Sequence, residues 1–223
     1  MSAPKFVVLG HGRSGTTILG DVLNQSPEIN MFQEIFNYYV QGIDPELFDF
    51  DVVNHVEQNR IPTAIYEQMA RKKYCKKAHK KYHGYKLLFC HLINDVEEYL
   101  HECKVILIAR RNKLQVEASN CVARITDVWM DTTPFEGTIK LDPVQVEKNI
   151  KRKIQEEKDA LQYNPLVVYY EDNMQGNVDK ICDFIGIQRF KIDYHEEKRI
   201  RKSMSQLITN YDEVKHLDRE LYV

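Results

Sequence analysis

Lys5-Phe6-Val7-Val8-Leu9-Gly10-His11-Gly12-Arg13-Ser14-Gly15-Thr16-Thr17-Ile18-Leu19-Gly20-Asp21-Val22-Leu23 decides how the rest of the chain is read. Phe6 to Leu9 form an apolar run of strand type that feeds straight into a glycine-rich turn. Ile18, Leu19, Val22 and Leu23 then recur at helical spacing. Strand, glycine-rich turn and helix together place backbone N–H groups and a helix N-terminus around a phosphate. Gly10, Gly12 and Gly15 let the chain turn tightly and approach an anion closely. Arg13 adds a planar positive fork, and Ser14, Thr16 and Thr17 add hydroxyl donors.

The spacing resembles the Walker pattern G-x-x-x-x-G-K-[ST], with one departure. Gly10, Gly15 and Thr17 fit, but Thr16 stands where the lysine belongs. A kinase needs that lysine on the β- and γ-phosphates. The loop therefore reads as a phosphate cradle for transfer of some group other than the γ-phosphoryl.

Outward from this unit, apolar β-type runs recur at Tyr85–Phe89, Lys104–Ala109 and Leu166–Tyr170. Helical patterns lie at about Leu114–Arg124, Val144–Gln162 and Val178–Ile185, the last closed by Gly186. Val146, Ile150, Ile154 and Leu161 form the apolar stripe of the long helix. Buried strands alternating with helices predict an α/β fold, a central parallel β-sheet flanked by helices. Ligands then sit at the carboxyl ends of the strands. The 223 residues read as a single domain, with residues 43–83 a helical insertion or cap and residues 126–143 a substrate-side loop. Residues 29–39 read as an aromatic stretch carrying one carboxylate, Glu34.

A net charge of −2 gives no global field toward nucleic acid or membrane. No apolar run approaches the ~18–20 residues of a membrane span. The basic run at 71–81 reads as a solvated helix face. Five scattered cysteines without a C-x-x-C read as reduced thiols in a cytoplasmic protein with no metal site.

Four segments together resemble the PAPS-dependent sulfotransferases, which use 3′-phosphoadenosine 5′-phosphosulfate as donor. Arg13-Ser14-Gly15-Thr16-Thr17 is similar to that family's 5′-phosphosulfate loop. Arg111, with Ser119 eight residues later, resembles its 3′-phosphate site. Tyr170-Glu171-Asp172 resembles its strand end, where the tyrosine contacts adenine. Arg201-Lys202-Ser203 resembles the Arg-Lys-Gly that closes on the 3′-phosphate, with Ser203 still offering its backbone N–H.

The resemblance implies a P-loop-kinase-like sulfotransferase fold. It implies metal-free transfer of a sulfuryl group from PAPS to the hydroxyl of a small phenol, alcohol or glycoside, with PAP as product. Gly12, Arg13, Ser14, Gly15, Thr16, Thr17, Arg111, Ser119, Tyr170, Arg201, Lys202 and Ser203 then bind the donor, and Arg13 stabilises the leaving phosphate. Two residues compete as general base. Glu34 sits among Phe32 and Phe36, an apolar setting that raises a carboxylate pKa. His91 resembles the histidine of the cytosolic enzymes, although Phe89 stands where their lysine lies. His11, beside the loop, is a third candidate. Lys86 reads either as a contact to the sulfuryl oxygens or as a surface lysine. Phe32, Phe36, Tyr38, Tyr39, Trp129 and Phe135 are candidates for an acceptor pocket. A small-molecule kinase and an inactive nucleotide-binding module are the rival readings.

Overall fold

The computed structural model describes residues 5–32, 80–92, 100–129, 134–194 and 200–222. Glu34, Phe36, Tyr38, Tyr39 and residues 43–79 of the expected insertion lie outside the described residues. Five strands form one sheet in the order β2-β3-β1-β4-β5: β1 (Lys5–Gly10), β2 (Ile29–Phe32), β3 (Tyr82–Leu88), β4 (Lys104–Ala109) and β5 (Leu166–Tyr169). Every pairing is parallel, as the buried apolar runs predict. The main described helices are α1 (Thr16–Leu23), α2 (Lys113–Thr126), α3 (Pro143–Asp159) and α4 (Met174–Ile185). Two short ones follow, α5 (Met204–Leu207) and α6 (Tyr211–Val214). No helix among the described residues is long and apolar enough to cross a membrane.

The pleat sorts β1 and β4 into two faces. Phe6, Val8, Ile106 and Ile108 pack with Leu19 and Leu23 of α1 and Val178 and Ile181 of α4. Val7, Leu9, Val105 and Leu107 pack on the other side with Leu100, Ala160 and Tyr163. A third apolar cluster joins α2 and α3 to Leu207, Ile208, Val214 and Leu217. Side chains at the helix starts satisfy amides left open there: Asn112 caps α2, Asp142 caps α3 ahead of Pro143, and Asn173 caps α4. Gly186 ends α4 at φ 83°, a left-handed conformation suited to glycine.

Two elements differ from the sequence reading. Residues 29–32 form an edge strand, β2, rather than part of an undivided aromatic stretch. Leu161 is 45% exposed rather than on the buried stripe, because α3 ends at Asp159 and the chain continues as a 3-10 turn. That tighter period rotates Leu161 away from the face holding Val146 and Ile150.

Gly84 lies opposite Phe6 in the β1–β3 ladder. A Cβ there would stand 2.3 Å from Phe6 Cζ and 2.6 Å from Met31 Sδ. Gly84→Ala is therefore expected to lower stability by about 1–3 kcal/mol through overpacking. A urea midpoint unchanged from wild type would show that the Phe6 ring yields freely.

Candidate active site

β1 lies inside the sheet, with β3 on one side and β4 on the other. The turns that leave these strands, and β5, share the carboxyl edge, where open α/β sheets bind ligands. The first turn is tightly constrained. Arg13 adopts φ 67° and Gly15 φ 98°. Gly15 caps α1 without any side-chain hydrogen bond, which leaves the first helical amides to another acceptor. A Cβ on Gly15 would lie 2.3 Å from Tyr170 Cδ2. The loop can therefore press against the Tyr170 ring only because residue 15 is glycine.

The loop's side chains divide into two groups. Ser14 is buried, and both its N–H (3.2 Å) and its hydroxyl (2.7 Å) donate to the His11 carbonyl. Its expected role as an anion donor is thus taken by the turn itself. Thr17 Oγ1 accepts a hydrogen bond from Lys86 Nζ at 2.6 Å. Lys86 is 4% exposed and lies opposite Val8 in the ladder. It is no surface lysine: the neighbouring strand places an ammonium at the mouth of α1, where residue 16 supplies none.

Arg13 points across to α2. Its Nε donates to Ser119 Oγ at 2.9 Å, and a terminal nitrogen donates to the Trp129 carbonyl. Two residues expected to serve different ends of the donor thus meet in one contact. Trp129 is 47% exposed beside this contact.

At the end of β4, Arg110 and Arg111 diverge. The Arg110 guanidinium stacks over the Tyr170 ring at 4.4 Å and reaches the Arg13 carbonyl at 3.5 Å and Gln115 Oε1 at 3.2 Å. Arg111 turns the other way, onto Asp172 Oδ1 at 2.5 Å, with the Tyr169 and Tyr222 rings 4.5 and 5.2 Å from its guanidinium carbon. Its Nε is buried without a hydrogen-bond partner among the described residues, as is that of Arg110. Arg110 is the residue that sequence reasoning missed. Successive side chains at a strand end point to opposite sides, so one of an adjacent pair must face the loop.

The remaining candidates are spread out. His91 ends the 3-10 turn Phe89–His91 that follows β3. Lys202 Nζ donates to the Glu136 carbonyl and, at 3.0 Å, to that of Gly137, while Arg201 is exposed. Ser203 caps α5 in a capping box, and its N–H donates to Gln206 Oε1 at 3.1 Å. The N–H expected to be open is therefore occupied. Phe32 is buried against Tyr85, with ring centroids 5.4 Å apart, and Phe135 packs on the α2–α3 cluster.

His11 belongs to the interior. Its ring lies 4.4 Å from the Phe89 ring, and Nε2–H donates to the Lys153 carbonyl at 3.3 Å. Burial, reinforced by the Lys153 charge, lowers its pKa to about 3. A histidine so weakly basic and so enclosed is not suited to deprotonate an acceptor, which removes the third candidate base.

No protein-family model matches the chain, and the search of curated proteins gives no match. Solved structures do. The crystal structure of a sulfotransferase from Alicyclobacillus acidocaldarius matches with a TM-score of 0.56 at 13% identity, over 93% of this chain and 89% of that one. A mouse sulfotransferase complexed with PAP matches at 0.47 and 14% identity, over 86% of this chain and 62% of that one. Shikimate kinase from Bacteroides thetaiotaomicron matches at 0.38 and 12% identity, over 83% of this chain and all of that one. With its parallel sheet and phosphate-type loop, the chain has the fold of a sulfotransferase.

Proposed function

We propose that the chain is a PAPS-dependent sulfotransferase acting on the hydroxyl of a small acceptor. One observation carries the reading. A loop of phosphate-binding shape lacks the Walker lysine yet receives a buried ammonium, Lys86, from the adjacent strand. The residues fit an anionic donor. The α1 amides lack a capping side chain, glycine at position 15 lets the loop pack on the Tyr170 ring, and Arg110 brings a second guanidinium to the loop at the Arg13 carbonyl.

In the proposed reaction the acceptor oxygen attacks sulfur as the bond from sulfur to the 5′-phosphate oxygen breaks. The acceptor proton passes to Glu34 or His91. Charge grows on the departing phosphate, and in this reading Lys86, Arg13 and the α1 amides stabilise it. Ser119 holds Arg13 through Nε, so the guanidinium is oriented before the donor arrives. Arg13 acts as a fixed charge rather than as a proton donor. Trp129, whose carbonyl Arg13 meets and which is exposed, is the candidate for stacking against an aromatic acceptor.

Calorimetric titration of the purified chain with PAP, beside ATP and Mg²⁺, tests the reading. Metal-free binding of PAP is expected. Arg13→Ala weakens it about tenfold or more, since a charge-assisted hydrogen bond carries ~1.5–3 kcal/mol. Binding of ATP with Mg²⁺ and not of PAP would turn the assignment to a kinase.

A further inference from the structure

Lys113 and Glu157 are each 1% exposed, and no step of the proposed reaction uses them. Lys113 Nζ donates to Glu157 Oε1 and Oε2, each at 2.7 Å, and to the Arg110 carbonyl at 2.6 Å. One ammonium thus ties α3 to the turn that leaves β4. Glu157 Oε1 lies 3.6 Å from His11 Nε2, so the same carboxylate also borders the turn that leaves β1. His11 carries the connection into the loop, because its carbonyl anchors both donors of Ser14.

Two charges withdrawn from water are costly, and an apolar pair of like volume fills a core as well. What an apolar pair cannot do is bond to a backbone carbonyl at a strand end. The placement of that carbonyl matters because the β1–β4 ladder stops at Gly10 and Ile108. Beyond that register, no backbone hydrogen bond joins the loop at 11–15 to the turn at 110–111 among the described residues, and the Arg110 side chain reaches the Arg13 carbonyl only at 3.5 Å. A donor with two anionic groups needs both turns at one fixed separation, and misplacement by about 1 Å can cost ~100-fold.

We propose that the Lys113–Glu157 pair is a spacer between the two turns. By acting through the Arg110 carbonyl and the His11 ring, it makes the site prefer a nucleotide with two separate phosphates over one with a single phosphate. Both are positioning residues. The inference rests on the donor reading above and extends it to the origin of ligand selectivity.

The test compares PAP with adenosine 5′-monophosphate by calorimetry on the full chain. The variant is Lys113→Met with Glu157→Met, which removes both charges together and keeps the volume. In wild type, PAP binds more tightly than the monophosphate. In the double variant the preference is expected to fall about tenfold or more, while monophosphate affinity stays nearly constant, because only the second anchor has lost its place. A purely structural role would weaken both ligands alike and leave the ratio unchanged, and that result overturns the proposal. Should the double variant fail to fold, Lys113→Met alone is read in the same way, since it removes the bond to the Arg110 carbonyl, and burial favours the neutral form of the Glu157 carboxyl left behind. A wild-type protein with no preference for PAP overturns the donor reading and the spacer with it. Wild-type preference with an unchanged ratio in the variant overturns the spacer alone.

Discussion

Lys86→Met is expected to slow sulfuryl transfer by about two to three orders of magnitude while leaving the fold intact. Lys86 Nζ sits 2.6 Å from Thr17 Oγ1, at the N-terminus of α1 and out of bulk water. A preorganised donor aimed at developing charge in such a place contributes ~100–1000-fold, or about 2.7–4 kcal/mol. Methionine keeps the length and apolar stem and removes the charge. The Thr17 hydroxyl loses one partner, a cost of only about 1 kcal/mol to the fold. Hydrolysis of PAPS to PAP and sulfate gives a readout that needs no acceptor. Rates within about threefold of wild type, under ~1 kcal/mol of barrier, would remove Lys86 from the chemistry.

Acid sensitivity traced to His11 is the second large effect. The folded protein holds His11 neutral down to pH about 3, whereas an unfolded chain protonates it near its ordinary 6.5. The folded-state pKa is the lower one. Its stabilising contribution is therefore complete above pH 6.5 and is lost as pH falls toward 3. The loss reaches about 2 kcal/mol at pH 5 and ~4 kcal/mol at pH 3.

Burial sets the sign, and the charges facing the ring modulate it. Lys153, Lys113 and Arg152 oppose its protonation, while Glu156 and Glu157 lie 3.7 and 3.6 Å from its nitrogens without overcoming burial. Glu157 works in the opposite direction. Burial raises its pKa despite Lys113, so its protonation in acid offsets part of the loss. His11→Gln isolates the histidine's share, because glutamine can still donate to the Lys153 carbonyl. Urea denaturation from pH 7.5 to pH 5 should show wild type losing about 2 kcal/mol more than the variant. Parallel curves would mean that His11 already titrates normally in the folded protein.

The parts of this architecture written in local pattern were legible in the sequence. Phe6–Leu9, Lys104–Ala109 and Leu166–Tyr169 announce buried parallel strands by continuous apolar character, and the loop announces itself by glycines between a strand and a helix. β2 was hidden because four residues with a buried asparagine, Asn30, carry too little period. The destinations of side chains were hidden for another reason. Lys86 and His11 owe their burial to partners far along the chain, and no local window contains Lys153 together with His11. Arg110 and Arg111 are alike in sequence, and only the twist of a strand end separates one that meets the loop from one that meets Asp172. The Ser203 cap is a different matter: Ser203-x-x-Gln206 is a capping box legible from spacing alone.

The position of β1 inside the sheet has a consequence for how the chain is born. Residues 5–10 are made well before both their partners, residues 82–88 and 104–109. At the usual synthesis rate of about 5–20 residues per second, the apolar β1 waits roughly 4–16 s with both edges open before β3 is complete. Parallel pairing over such separations closes slowly in any case. The strand that anchors the phosphate loop is thus made well before both its partners, and a nascent chain arrested before residue 104 exposes a sticky, half-paired edge.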